Sequence, residues 1–281
     1  MDFIEMLKII VLGLVEGFTE WLPISSTGHL ILVEQLIPLN QPQEYIDMFE
    51  VVVQLGAILA VVVLYFRRLN PFDARKTPRQ KRITIHLWIK IVIACIPAAI
   101  IGFLADDFLH KYLFNPWVIA ITLIGYGVLF IVLERRNEDI TFPIVRVGQI
   151  SYLKALQIGC IQLLALIPGT SRSGSTILGA MILGCSRSVA AEFSFFLGIP
   201  VMFGASFLEI VKYIASDAAF TGAQIFYLIL GMVVAFAVSI CSIKFLMTYI
   251  KGNDFKVFGY YRIVLGVIVL IYFGVRAIMK I

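Results

Sequence analysis

Two carboxylates, a histidine and a run of hydroxyl residues lie together in residues 16–30, a stretch that we call the first motif. Its carboxylates are Glu16 and Glu20, its histidine is His29, and apolar runs flank it on both sides. The chain of 281 residues is 60% hydrophobic and only 15% charged. Polar groups are costly to bury in such a chain, so their concentration here calls for a chemical reason.

The spacing within the first motif narrows that reason. Glu16 and Glu20 are four residues apart, which places both carboxylates on one helix face, where they repel unless they share a proton, a cation or a basic partner. Pro23 is expected to stop this helix because it lacks a backbone N–H. Hydroxyl residues then suggest the start of a new helix, whose free N–H groups favour an anion. They are Ser25, Ser26 and Thr27.

Ser26 and His29 are three residues apart, which predicts that they meet once the helix resumes. We interpret Ser26 as a nucleophile that His29 or Glu20 activates. Direct attack by His29 is an alternative that residue types alone leave open. The ordinary structural interpretation is that His29 is a buried histidine whose ring nitrogens are hydrogen-bonded. The neighbouring serine and carboxylates favour a chemical role instead.

Residues 168–176, the second motif, read Pro-Gly-Thr-Ser-Arg-Ser-Gly-Ser-Thr. Gly169 and Gly174 allow close approach of the backbone, and the hydroxyl residues offer hydrogen bonds where a helix is predicted to begin. Arg172 contributes a fixed cation whose planar fork suits phosphate oxygens. The alternative is that Arg172 only neutralises Glu16 or Glu20. The many donors around it favour an anion site.

The elements that must hold these motifs are membrane helices. Six apolar runs are long enough to cross a bilayer, at 49–66, 87–104, 116–133, 192–214, 225–246 and 258–275. Two further apolar regions, 7–37 and 153–184, contain the motifs and are broken midway by Pro, Gly, Ser and Thr, which is typical of re-entrant helix-loop-helix hairpins. The net charge of +5 comes from basic residues in short loops, so nucleic-acid binding is excluded.

The two broken regions are related by an internal repeat with an offset of 146 residues. Ser25 falls on Ser171 and Gly28 on Gly174, while Glu16 lies opposite Gln162. Each half then holds one hairpin and three spans, and an odd number of crossings turns the second half upside down. We therefore predict an all-α polytopic membrane protein in which residues 1–281 form a single domain of two inverted repeats, approximately 1–140 and 141–281.

Loop charges predict the orientation. The segment 67–86 carries seven Lys and Arg residues against one aspartate, a strong cytoplasmic signal. Both termini then lie outside, the first hairpin enters from the external face and the second from the cytoplasm. The acidic residues expected outside are Glu34, Glu44, Asp47, Asp106, Asp107 and Asp217.

At its two motifs the sequence resembles the undecaprenyl pyrophosphate phosphatase family of the bacitracin-resistance type. The similarity covers Glu16-Gly17-x-x-Glu20 with Pro23-x-Ser25-Ser26-Thr27-Gly28-His29, the whole second motif, the chain length and the repeat. It implies a membrane hydrolase of the bacterial cytoplasmic (inner) membrane that removes the terminal phosphate of undecaprenyl pyrophosphate. The product is the monophosphate carrier lipid recycled for peptidoglycan synthesis, and the site is expected to open to the external or periplasmic side.

The resemblance also implies roles for individual residues. The implied catalytic positions are Glu16, Glu20, Ser26, His29 and Arg172. The expected substrate-binding residues are Ser25, Thr27, Gly169, Thr170, Ser171, Ser173, Gly174 and Thr176. A divalent cation, Mg²⁺ or Ca²⁺, is the expected cofactor, with Glu16 and Glu20 as its candidate ligands. The expected partners are the membrane and a polyprenyl pyrophosphate lipid. Whether the protein forms a homodimer is left open.

Two other classes of protein compete with this interpretation. A transporter or flippase of a phosphorylated lipid or another anion would share the inverted repeats and broken helices. The density of Ser, His and Glu favours an enzyme, because anion binding alone needs no nucleophile with a base. A type-2 lipid phosphatase fails on spacing, since Leu178 stands where its histidine would follow Arg172.

Overall fold

The protein is all-helical throughout the part that the computed structural model describes, residues 2–216 and 219–279. Of the acidic residues expected outside, Asp217 and the side chains of Asp106 and Asp107 lie outside that part. The α-helices of the first half are α1 (Phe3–Thr19), α2 (Ser26–Leu36), α3 (Gln43–Val52), α4 (Gln54–Leu64), α5 (Phe66–Leu69), α6 (Pro78–Leu113) and α7 (Pro116–Arg136). Those of the second half are α8 (Tyr152–Gln162), α9 (Arg172–Ile182), α10 (Arg187–Ala215), α11 (Gly222–Tyr249) and α12 (Lys256–Met279).

Six helical segments in this part are long and apolar enough to cross a membrane, which confirms the predicted number and positions. They are Gln43–Leu64, Pro78–Ala105, Pro116–Arg136, Arg187–Ala215, Gly222–Tyr249 and Lys256–Met279. The first of them contains both α3 and α4, which meet at Val53. The protein is therefore a multi-pass membrane protein.

The remaining apolar regions are interrupted helix pairs, as the sequence predicts. Residues 20–25, the first break, separate α1 from α2. Residues 163–171, the second break, separate α8 from α9 and include a short 3₁₀ turn, Leu163–Leu166. The catalytic candidates of both motifs lie at or beside these breaks.

Both breaks end in a serine with an unusual backbone. Ser25 has φ 75° and Ser171 has φ 72°, a region that L-residues rarely enter and that costs about 1–3 kcal/mol. Each serine accepts a hydrogen bond at Oγ from a glycine N–H three residues on, Gly28 at 3.3 Å and Gly174 at 3.1 Å. The two helix starts therefore share one geometry, at positions that the repeat aligns.

Glycines allow the helices around the breaks to pack very closely. A Cβ added to Gly13 or Gly17 on α1 would lie 2.8 or 2.6 Å from a carbonyl oxygen of α11. A Cβ on Gly159 of α8 would lie 2.2 Å from the carbonyl of Ala94 on α6, and one on Gly127 of α7 would lie 2.7 Å from the carbonyl of Gly259 on α12. The first helix of each interrupted pair thus packs on a helix of the opposite half.

The first break is held in the same apolar core as the second half of the chain. Trp21, Leu22 and Ile24 are buried in a cluster that also contains residues of α8, α9 and α10. The Trp21 ring meets the Phe195 ring edge-on, with 5.2 Å between centroids. Apolar packing therefore brings the two motifs to one place.

Candidate active site

A cavity of about 200 Å³ lies between the two motifs. Side chains of Glu20, Ser26 and Thr27 line it from the first motif, and Gly169, Ser171 and Arg172 line it from the second. The approach of the two motifs, expected from the repeat, is therefore confirmed. The cavity is partly open and mostly apolar, with a few polar groups directed into it, which is the usual form of a small-molecule site.

Glu20 connects the candidate nucleophile with the candidate phosphate-binding cation. The Ser26 hydroxyl donates a hydrogen bond to Glu20 Oε2 at 2.6 Å, and Arg172 Nη2 donates to Glu20 Oε1 at 2.8 Å. All three residues are largely buried. Both hydrogen bonds are charge-assisted, so they fix the hydroxyl and the guanidinium in relation to each other.

The Arg172 guanidinium is held from several sides. Its Nη1 donates to the backbone carbonyl of Ser194 at 2.7 Å, and its Cζ lies 5.9 Å from the centre of the Trp21 ring. Gly198 provides the space, because a Cβ there would lie 2.7 Å from the guanidinium nitrogens. Arg172 Nε has no hydrogen-bond partner among the described residues, so one donor is still free for an anion.

Glu16 lies one helical turn before Glu20 and is fully buried. Neither of its carboxylate oxygens has a hydrogen-bond partner within the described part of the chain. A bare buried carboxylate beside a second one is expensive unless it is protonated or meets a cation. Oxygen donors of this kind suit Mg²⁺ or Ca²⁺, although no group of three or more His, Cys, Asp or Glu residues forms a cluster in the residues described.

The structure does not pair Ser26 with His29, so that expectation was wrong. His29 Nδ1 donates to the backbone carbonyl of Ser25 at 2.7 Å, and its Nε2 lies 2.7 Å from the Tyr261 hydroxyl. Because a carbonyl can only accept, Nδ1 carries the proton, and in the neutral form of that ring Nε2 accepts from Tyr261. The two rings are also stacked, with 5.6 Å between centroids. The neighbour that can take the Ser26 proton is Glu20.

The predicted substrate-binding residues divide into two groups. Thr27, Gly169 and Ser171 line the cavity. The other side chains hold the backbone or the neighbouring helix: Ser25 caps α2, Thr170 donates to the carbonyls of Leu164 and Ile167, and Ser173 donates to the Glu20 carbonyl. Thr176 bonds the Arg172 carbonyl and the Ser194 hydroxyl, while the Gly174 N–H is taken by Ser171.

Sequence reasoning missed several residues around the site. Gln54 and Gln162 line the cavity, and Gln162 has both side-chain polar atoms buried without a partner among the described residues. The repeat alignment pointed to Gln162, because it lies opposite Glu16. Arg262 could have been found as an arginine inside a predicted span, which is rare without a functional reason. Tyr261 and Ser194 carry no comparable signal.

Six apolar helices and a buried serine–carboxylate–guanidinium chain define an integral membrane protein equipped for the chemistry of a phosphorylated substrate. The family model described as bacitracin resistance protein BacA matches residues 9–268. The chain therefore belongs to the BacA family.

Curated relatives agree over almost the whole length. A protein of Enterococcus faecalis named undecaprenyl-diphosphatase is 54% identical over 97% of this chain and 99% of its own length. Proteins with the same name from Acetivibrio thermocellus and Desulfitobacterium hafniense are 57% and 55% identical, over 96% and 99% of this chain and 98% and 100% of their own lengths. The family match contains both motifs.

Proposed function

We infer that this protein hydrolyses undecaprenyl pyrophosphate to undecaprenyl phosphate and inorganic phosphate, which recycles the carrier lipid of cell-wall synthesis. The names and near-complete coverage of its relatives support this activity. The observation that carries the assignment in this chain is the connection of Ser26, Glu20 and Arg172 across the two motifs. Pure anion binding would not require a hydroxyl donating to a buried carboxylate.

The second motif would bind the pyrophosphate. Arg172 supplies a cation with one free N–H, and the amino-terminal ends of α2 and α9 point their positive dipole ends toward the breaks. These donors would stabilise the charge that spreads over the equatorial oxygens of the transferring phosphoryl group. The polyprenyl tail would lie among apolar side chains between the spans.

Ser26 is our proposed nucleophile. Its Oγ would form a bond to the terminal phosphorus while the bridging P–O bond breaks, and undecaprenyl phosphate would leave with the bridging oxygen. The Ser26 proton would pass to Glu20. Water would then attack the phosphorus of the phosphoserine, and the proton that it loses would leave with inorganic phosphate. The Oγ–P bond would break as Glu20 returns its proton to Ser26 Oγ, which restores both groups. Direct attack by His29 is the competing path, although both His29 nitrogens are engaged.

Arg172 occupies Glu20 Oε1 in this structure, so one oxygen of the carboxylate is held in an ion pair. An arriving pyrophosphate competes for the same guanidinium. Transfer of Arg172 from Glu20 to the phosphate oxygens would leave Glu20 free to accept the Ser26 proton. Substrate binding would then activate the nucleophile, and Ser26 would be less reactive toward water without substrate.

The residues present fit a divalent cation. Glu16, with two unpartnered buried oxygens, would hold it together with phosphate oxygens of the substrate, a common arrangement for Mg²⁺. Glu20 would join as a ligand through Oε1 once Arg172 has moved to the phosphate, because Ser26 and Arg172 engage both of its oxygens in this structure. When bound, the ion would neutralise charge on the pyrophosphate and polarise its oxygens.

The membrane arrangement completes the proposal. We propose that the interrupted pairs are re-entrant hairpins of an inverted repeat, a proposal supported by the matching caps at Ser25 and Ser171 and by the matching contacts of α1 with α11 and α8 with α6. The charge of the segment 67–86 favours an inside location and a site that opens to the external or periplasmic face of the cytoplasmic membrane. The assembly stays open between monomer and homodimer, and the mass of the detergent-solubilised protein would decide between them.

A lipid transporter or flippase is the second candidate, favoured by the interrupted helices at a shared site. The two functions differ in whether the substrate is cleaved. The test is phosphate release from a polyprenyl pyrophosphate by the purified protein in detergent, with and without chelator, for wild type and Arg172→Ala. We expect release by wild type and a loss of about 100-fold or more in the variant, because Arg172 is the main cation at the phosphate.

Absence of phosphate release by well-folded wild type would contradict the phosphatase and make lipid translocation the next assay. Near-normal release by Arg172→Ala would instead remove only this residue from the mechanism. Unchanged release in chelator would remove the divalent cation.

A further inference from the structure

Arg262 is a fully buried arginine in the second turn of a membrane-spanning helix, α12. A guanidinium in such a place is expensive and needs partners for its five N–H donors. Nothing in the mechanism above uses it. Other contacts in the fold must therefore offset the free-energy cost of burying its charge.

The guanidinium donates to backbone carbonyls of both breaks. Nη1 donates to the Pro23 carbonyl at 3.0 Å, and Nη2 donates to the carbonyls of Gly169 at 2.7 Å and Thr170 at 3.1 Å. Nε makes a longer contact of 3.4 Å with the Leu123 carbonyl on α7. One rigid group therefore ties the first break to the second.

These carbonyls are the kind of acceptor that a break creates. Residues beside a helix interruption have no helical N–H partner for their carbonyls, and at membrane depth water does not replace it. The planar fork of Arg262 fits them at fixed angles, which a flexible ammonium cannot reproduce. The Tyr126 ring, 5.3 Å from Cζ, supports the guanidinium on one face.

The tie acts directly on the candidate active site. Pro23 lies three residues before Ser26, and Gly169 and Thr170 lie just before Ser171 and Arg172. Gly174 in the first turn of α9 is also close, since a Cβ there would lie 3.2 Å from Nη1. A shift of one break relative to the other would therefore move Ser26 relative to the donors that bind the phosphate.

We propose that Arg262 is a positioning residue of the phosphatase, which fixes the first motif in register with the second. This inference rests on the proposed use of Ser26 and Arg172. Loss of the tie lowers the rate of chemistry more than substrate binding, because the tail and Arg172 still hold the lipid. Displacement of a reacting group by about 1 Å can cost about 100-fold in rate.

The test is steady-state hydrolysis of a polyprenyl pyrophosphate by Arg262→Lys, which keeps the charge but loses the fork. We expect kcat per folded molecule to fall by about 100-fold with KM changed less than about threefold. The control is Arg276→Gln, on the same helix, whose Nη1 donates to the exposed Gln35 side chain and whose Cζ lies 5.8 Å from the centre of the Tyr272 ring. It should keep both constants.

Wild-type kcat in Arg262→Lys would overturn the inference, because charge alone would then suffice. A raised KM with normal kcat would also overturn it, since that assigns Arg262 to binding. If Arg262→Lys does not give a monodisperse folded protein, Tyr126→Leu decides. It leaves Arg262 in place but removes the ring beneath it together with the hydroxyl that bonds Ser175. Tyr126→Phe, which loses only that hydroxyl, is the control: kcat should fall several-fold at constant KM in Tyr126→Leu relative to Tyr126→Phe, and equal kcat in the two variants would contradict the role. If the wild-type protein is inactive, that result contradicts the proposed phosphatase activity and not the link that Arg262 makes between the two breaks.

Discussion

Glu20 has one oxygen for Ser26 and one for Arg172, and this division determines how the site could work. The sequence named all three residues but not their pairing. Separation along the chain made His29 as good a partner for Ser26 as Glu20, and it left Arg172 free to meet either carboxylate. The backbone of Ser25, with its positive φ, turns the start of α2 so that Ser26 faces Glu20 and His29 faces Tyr261. Local spacing rules do not anticipate such a strained residue.

Replacement of Ser26 by alanine tests the nucleophile. Ser26→Ala should lower kcat by about 1000-fold or more while the protein stays folded, because the oxygen that forms the covalent bond is lost. Phosphate release by the purified variants is the measurement. Ser242→Ala is the matched control, since Ser242 is also buried but its hydroxyl donates to the Val238 carbonyl on α11.

The covalent intermediate gives an independent measurement of the same prediction. Phosphoserine survives acid whereas phosphohistidine does not, so rapidly quenched enzyme should carry acid-stable phosphate that maps to Ser26. Acid-labile phosphate on His29, together with a robust rate in Ser26→Ala, would move the nucleophile to His29.

Glu16 provides a second prediction at this scale. Glu16→Gln removes the negative charge of the carboxylate that has no partner, so the variant should need at least about tenfold more Mg²⁺ for half-maximal activity. The measurement is a titration of chelated protein with the metal. Glu209→Gln changes a carboxylate that pairs with Lys212 outside the site and should keep the wild-type curve. An unchanged curve in Glu16→Gln would exclude Glu16 as a ligand.

At the scale of elements, the spans could be predicted because the length of an apolar run is a local property of the sequence. The interruptions could be predicted because Pro, Gly and Ser residues act on the backbone at the place where they stand. The six spans and the two breaks lie where the sequence placed them, and Gly13 and Gly17 allow α1 to pack closely on α11. Which helices these glycines contact was not predictable, because the partner helices are far away in the chain. For the same reason, the contact of Tyr261 with His29 and the contacts of Arg262 with both breaks could not be predicted.

Two glycines of α7 test the close helix contacts. Gly127→Ala should destabilise the protein by about 1–3 kcal/mol, because the new Cβ would lie 2.7 Å from the Gly259 carbonyl. Gly125→Ala, two residues earlier, has no atom within 4 Å of the new Cβ and should be neutral or slightly stabilising. Thermal unfolding in detergent compares them. Equal melting temperatures would show that the contact of α7 with α12 can relax to accept a methyl group.

At the scale of the whole molecule, the interleaving of the two halves explains why one chain needs both motifs. The first helix of each interrupted pair packs on the opposite half, so neither half encloses the cavity alone. The repeat predicted that the motifs meet, because each has the same place in its half. It did not predict their unequal chemistry: one motif supplies the hydroxyl and carboxylates, and the other supplies the cation. When the two copies of a repeat diverge, their backbones stay alike while their side chains change, as at Glu16 and Gln162.

The orientation in the membrane is the last prediction, and the charge of the segment 67–86 is its physical basis. Basic residues resist transfer across the membrane, so this segment should stay in the cytoplasm. A membrane-impermeant maleimide on intact cells tests it, after the free cysteines Cys95, Cys160, Cys185 and Cys241 have been replaced by serine. Arg79→Cys should react only in permeabilised cells, whereas Glu44→Cys, exposed at the start of α3, should react in intact cells.

The two cysteines serve as controls for each other, because both side chains are exposed in the first turn of a helix and differ in the predicted side of the membrane. The reverse labelling pattern would invert the molecule and direct the cavity to the cytoplasm. That outcome would leave the chemistry of Ser26, Glu20 and Arg172 untouched, because hydrogen bonds inside the protein do not depend on its orientation. It would change which pool of pyrophosphate lipid the enzyme can reach, and so the side on which the carrier lipid is recovered.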